Sequence, residues 1–173
     1  MEHFRMIDLM MDLESFDWKK YVLECLNSTF FCTLATWEEK SVWSNPVYFA
    51  WDSNYCLYFI SPPKSRHMSN IRINQNVSLS IYSTQQSPDG DVCGLYIEGK
   101  ATIVPDDEVE NAYSVYYKRR FPDTGKSDTP ISAHMGESAA WKFVKIVPVH
   151  IYYFDTRFFD EVRQEVPISK LKS

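Results

Sequence analysis

Apolar residues recur every three or four positions across residues 17–27, where Trp18, Tyr21, Val22, Cys25 and Leu26 would share one face of a helix. Asp17, just ahead of that face, has the short acceptor side chain of an N-cap. The period then changes. Residues 30–36 form a β-prone apolar run, Glu38-Glu39-Lys40 a polar turn, and residues 42–51 a second strand. Asp52-Ser53-Asn54 turns the chain again, and residues 55–60 read as a strand buried on both faces. Three strands joined by short polar turns predict an antiparallel meander.

Ser61-Pro62-Pro63-Lys64 opens a short helix that carries Met68 and Ile71 one turn apart. Residues 77–82 and 95–104 follow as strands, with Ser78 and Ser80 alternating against Val77, Leu79 and Ile81, and with a turn at Pro88-Asp89-Gly90 between them. Asp106-Asp107-Glu108 begins a helix that Lys118-Arg119-Arg120 closes, charges that suit the two ends of its dipole. Residues 123–138 are rich in turn formers, and residues 141–154 return to strand, where Pro148 demands an edge position or a bulge. The order predicts a mainly β fold, a small barrel of antiparallel strands with helices packed outside it.

A chain of 173 residues fits a single domain, here expected over residues 1–173 with an N-terminal extension at 1–14 and a C-terminal tail at 158–173. Eleven Phe, eleven Tyr and five Trp favour strands and a pocket where a flat ring can stack. The net charge of −5 argues against a general nucleic-acid binder. No run approaches the roughly 20 apolar residues of a membrane helix, and Met1-Glu2-His3-Phe4-Arg5 lacks the order of a signal peptide, so no membrane partner and a cytoplasmic location are expected. Cys25, Cys32, Cys56 and Cys93 show no CxxC spacing and are expected as reduced, buried packing residues. His3, His134 and His150 have no Cys or carboxylate at ligand spacing, so no metal site is expected.

The chemistry concentrates at Lys64, Arg66 and His67. They place cations on the first turn of a helix, whose free N–H groups already carry partial positive charge. A bound phosphate explains them, with Ser61 and Ser65 adding hydroxyl donors; long side chains extended into water are the other explanation.

At these residues the chain resembles the pyridoxamine 5'-phosphate oxidase-like FMN-binding split barrels. The resemblance runs over residues 30–154 and rests on the order of soft motifs: Asn45-Pro46-Val47-Tyr48-Phe49-Ala50, then Phe59-Ile60-Ser61, then Lys64-Ser65-Arg66-His67 opening a helix, then Ile97-Glu98-Gly99, and Arg119-Arg120-Phe121-Pro122. It implies a split β-barrel and a homodimer with FMN in the cleft between protomers. The phosphate would lie on Ser61, Ser65, Arg66 and His67, beside Ile60 and Lys64. The ring would lie along Asn45, Pro46, Val47, Tyr48 and Phe49, with Trp141 directed at the partner's flavin or simply in the core. Arg119 and Arg120 could reach a substrate anion, although the helix dipole already accounts for them.

Four departures bear on the reaction. The family's vitamin B6 oxidase has Arg, Lys and Gln where Asn45, Ala50 and Gly94 stand, and its C-terminal Arg-x-His pattern has no counterpart in residues 158–163. The resemblance therefore implies an FMN-dependent oxidoreductase of another substrate, with NADH or NADPH as a possible reductant and no side chain assignable as acid or base. A flavin- or haem-binding storage or sensor protein is the alternative, and a deazaflavin user on the same scaffold is a third.

Overall fold

The computed structural model describes residues 13–87, 89–125 and 127–172. His3, most of the expected N-terminal extension and Pro88 lie outside the described residues.

Helix α1 (Trp18–Asn27) begins where the pattern placed it. The Asp17 carboxylate accepts from the Lys20 N–H, and Trp18, Val22, Cys25 and Leu26 are buried. Strands β1 (Phe31–Glu38) and β2 (Ser41–Tyr48) pair as a hairpin about the Glu39-Lys40 turn. The expected single strand over residues 42–51 is broken at Phe49, and β3 (Ala50–Trp51) pairs instead with β4 (Leu57–Ser61). This corrects the meander. The Phe49 N–H makes a last bond to the Phe30 carbonyl, its ring enters the core, and the chain crosses from one edge of the sheet to the other. The order β2-β1-β5-β6-β7-β4-β3 therefore begins and ends on two strands that are nearly continuous in sequence, which curls the sheet into a split barrel.

Helix α2 (Arg66–Ile73) follows β4, and β5 (Asn76–Ile81) shows the anticipated alternation of exposed and buried positions. The long β6 (Cys93–Ile103) leads through a 3₁₀ turn at Asp106–Glu108 into α3 (Val109–Arg120). Residues 123–138 contain a second 3₁₀ turn, Ile131–His134, which buries His134 completely. Strand β7 (Lys142–Asp155) pairs with β6 and β4. Of the two options open to Pro148 the structure takes the bulge: Glu98 faces His150 and Gly99 faces Pro148, leaving Val149 as the extra residue. Pairing with β4 ends at Ile146, so the missing Pro148 N–H leaves no ladder bond unmade on that side. The C-terminal stretch packs down through β8 (Gln164–Glu165) and α4 (Ile168–Leu171), with Phe159, Val166 and Leu171 buried.

Alternation along β4 divides the interior in two. Leu57 and Phe59 join the barrel core with Trp18, Leu34, Met68 and Ile146, whereas Tyr58 joins Ala50, Val109, Ala112, Tyr116 and Phe143 beneath α3. At the bulge, a methyl group on Gly99 would lie 2.8 Å from Ile146 Cγ2 and 2.9 Å from the Val147 carbonyl oxygen. Gly99→Ala is accordingly expected to cost about 1–3 kcal/mol by overpacking, read as a lower urea midpoint with an unchanged slope. An unchanged midpoint would show that the bulge relaxes freely.

Candidate functional site

Strand β2, the end of β4, the start of α2 and the end of α3 surround a cavity of about 430 Å³. Its walls include Asn45, Pro46, Val47, Tyr48, Ile60, Ser61, His67 and Trp141, eight of the twelve residues named from sequence. The other four are displaced from it. Phe49 is turned into the barrel core. Lys64 precedes the N-cap residue Ser65 and so lies ahead of the helical first turn where the sequence put it. Arg66 is outside the lining, its guanidinium donating to Ser41 Oγ at 2.8 Å and resting 4.6 Å from the Trp43 ring centre. Ser65 is held just behind the wall.

Ser65 makes no side-chain capping bond to its own helix. Its hydroxyl instead lies 2.9 Å from Ser61 Oγ and 3.1 Å from His67 Nε2, and Ser61 Oγ lies 2.6 Å from the same nitrogen. Two hydroxyls and an imidazole thus converge at the tip of α2, where the backbone N–H groups of the first turn also point. Burial holds the His67 pKa below its ordinary value, so the ring is neutral at pH 7.

Polar valences along β2 are incomplete. Asn45 Oδ1 and the Tyr48 hydroxyl are buried and have no hydrogen-bond partner among the described residues. Burial raises the Tyr48 pKa, against the opposing pull of the Arg119 and Arg120 charges, so the phenol keeps its proton. An unmatched acceptor and an unmatched donor on one cavity wall suit a ligand with a polar edge. Tyr48 and Trp141 add aromatic surface.

Of the far wall, Tyr116, Tyr117, Arg120, Phe121, Ser127 and Thr129, the sequence offered only Arg120 as a group able to reach a ligand; all six come from the end of α3 and the segment after it. The two arginines there have different surroundings. Arg119 donates to the Leu26 and Thr29 carbonyls and lies 3.9 Å from the Trp51 ring centre, with its pKa lowered to about 10 by burial. It fastens the end of α1 to the end of α3. Arg120 donates to the Tyr116 hydroxyl at 2.8 Å, packs near the Tyr48 ring, and pairs with no carboxylate among the described residues. It is the permanent cation of the cavity wall. A larger open concavity of about 610 Å³, lined by Trp37, Val42 and Val149 among others, contains none of the predicted site residues.

A barrel split between β2 and β3, with a cavity running from a helix tip along an edge strand, defines the split-barrel class of fold. Within that class the chain belongs to the pyridoxamine 5'-phosphate oxidase family, whose model matches residues 19–153. Similar solved structures include General Stress Protein 26 from Bacillus anthracis str. Sterne, at 19% identity over 87% of this chain and 100% of that one, with a TM-score of 0.58. A heme binding protein from Mycobacterium smegmatis aligns at 12% identity over 90% of this chain and 59% of that one, with a TM-score of 0.64. An FAD-binding protein from Mesorhizobium loti aligns at 20% identity over 78% and 94%, with a TM-score of 0.55. At these identities the likeness establishes the fold. No curated protein matches the chain.

Proposed function

We propose that this protein is an FMN-dependent oxidoreductase, holding the phosphate of FMN at the tip of α2 and the ring along β2. One observation carries the reading: the unpartnered Asn45 Oδ1 and Tyr48 hydroxyl stand on the wall of a cavity that ends at the Ser61, Ser65 and His67 cluster. The family match and the FAD-binding neighbour support a flavin as the ring.

Bound FMN supplies hydride and electron transfer. This chain supplies the setting. Ser61 and Ser65 exchange their mutual contacts for phosphate oxygens. His67, neutral when free, takes up a proton and becomes a charged donor, assisted by the α2 dipole. Asn45 and Tyr48 bond the polar edge of the ring. Arg120, across the cavity, favours a substrate with an anionic group.

Two features argue against vitamin B6 oxidation. Ala50, standing where the oxidase has Lys, is fully buried beneath α3, and a side chain added at Gly94 would meet the Ile81 carbonyl at 3.1 Å. The active form in this reading is a dimer sharing the cleft, and the exposed aromatic residues Phe31, Trp37, Trp43 and Trp141 suit cover by a second copy.

The oxidoreductase reading is tested by mixing FMN-loaded protein anaerobically with NADH or NADPH. Loss of the oxidised flavin absorbance, followed by its return on admitting an acceptor, is expected. A flavin that stays oxidised with both nucleotides would indicate a passive binder. Sedimentation of the loaded protein as a monomer would remove the shared cleft.

A further inference from the structure

Helix α3 turns a different face to a second cavity. Tyr116, Tyr117 and Arg120 look toward α2, whereas Asn111, Lys118 and Arg119, at positions i, i+7 and i+8, line a separate hollow of about 480 Å³. Trp51 and Ser53 close it from the end of β3 and the turn beyond, and Asn27 from the end of α1. The two cavities share no lining residue. We propose that this second cavity binds a small phosphate monoester through Lys118 and Arg119.

The charge and the donors of Arg119 are only partly matched. Both of its hydrogen bonds come from Nη2, to the Leu26 and Thr29 carbonyls, while Nε is buried with no partner among the described residues. Nη1 makes no hydrogen bond among them either, so it is the donor left for a ligand. The Trp51 ring, centred 3.9 Å from the guanidinium carbon, holds the fork in place. Neither Lys118 nor Arg119 forms an ion pair among the described residues. The C-terminal ends of α1 and α3 offset the two cations by about half a charge each, which leaves a positive excess. Asp52 also lines the cavity, but its carboxylate is committed to the turn: Oδ1 accepts from the Asn54 and Cys56 N–H groups and Oδ2 from the Tyr58 hydroxyl.

Two cations on one wall select the class of ligand. A phosphate monoester carries about −1.5 to −2 charges at pH 7, against one for a carboxylate, and its oxygens match both a forked guanidinium and a mobile ammonium. The rest of the wall is largely neutral and polar. Ser53 and Asn111 offer donors and acceptors, and Asn27, whose amide nitrogen already bonds the Leu23 carbonyl, offers its oxygen. These groups suit a hydroxyl-bearing body attached to the phosphate. No flavin takes part, so this proposal and the reading of the other cavity stand or fall separately.

The test is titration of the full, nitrogen-15-labelled chain with glycerol 3-phosphate, followed by NMR at the Asn111 side-chain amide and the Arg119 Nε–H. Saturable shifts of both signals are expected, and they should persist in His67→Ala, which removes the imidazole at the tip of α2. Lys118 is exposed, so Lys118→Ala should keep the fold and weaken the ester about tenfold. Glycerol should leave both signals in place, and acetate should bind at least about tenfold more weakly than the ester. Shifts that never saturate, shifts confined to residues 61–67, undiminished binding in Lys118→Ala, or acetate binding as tightly as the ester would overturn the proposal.

Discussion

Asp155→Ala is expected to lower the free energy of unfolding by about 3 kcal/mol, the largest loss of any single substitution named for this chain. Asp155 is fully buried at the end of β7 and gathers several donors. It accepts a hydrogen bond from the Tyr153 hydroxyl. Arg157 binds it through the backbone N–H at 2.9 Å and through the guanidinium at 2.6 Å. Tyr153 is itself fully buried, ringed by Phe16, Trp18, Tyr21 and Phe159. Removing the carboxylate strands the Tyr153 hydroxyl in that apolar ring and leaves Arg157, among the described residues, with the looser Glu24 contact at 3.6 Å as its remaining ion pair.

The same group fixes the sign of the acid response. Burial pushes the Asp155 pKa up, but the hydrogen bonds from Arg157 and Tyr153 outweigh it and the net shift is downward. The unfolded chain therefore takes up the proton first as pH falls. The stabilisation from Asp155 is complete above the ordinary carboxylate range, near pH 4, and is lost as pH falls below it toward the folded value. The gap in urea midpoint between the natural chain and Asp155→Ala should be widest at neutral pH and narrow under acid. The exposed Asp160→Ala should change stability by no more than about 0.5 kcal/mol at neutral pH. A gap that stayed constant down to low pH would show that the carboxylate charge is not what stabilises this end of the barrel.

His67→Ala is expected to weaken FMN by about 10- to 100-fold and to leave riboflavin within about twofold, the range of a lost charge-assisted hydrogen bond. His67 Nε2 contacts both Ser61 Oγ and Ser65 Oγ, so a phosphate at the helix tip meets all three groups together. Riboflavin has the ring without the ester. Burial lowers the pKa of the free ring, whereas a neighbouring anion favours the charged imidazole. Adding FMN should therefore move the His67 titration upward in a proton NMR experiment, and riboflavin should not. Equal losses for the two ligands in His67→Ala would place the phosphate elsewhere.

Local signals made much of this molecule legible. The Asp17 cap, the helical face of α1 and the alternation in β5 depend on neighbouring residues, and the structure reproduces them. Ser61, Ser65 and His67 could be read as one unit because they lie within a single turn-and-helix segment. The break at Phe49 was hidden, since a strand that changes partners keeps its apolar character throughout. Pro148 announced a disruption but not which kind, because the choice depends on where pairing with β4 stops. Arg120 looked like an ordinary helix-ending cation, and only the packing of α3 over β3 and β4 carries it to the cavity wall.

Equilibrium titration of flavin-free protein with FMN, read by flavin fluorescence and absorbance, decides whether the cavity between β2 and α2 is a flavin mononucleotide site. Saturation at one FMN per chain, weakened about 10- to 100-fold in His67→Ala while riboflavin binding stays within about twofold, is the expected result. An absence of saturable FMN binding, or saturation by haem with a Soret band and none by FMN, would contradict it.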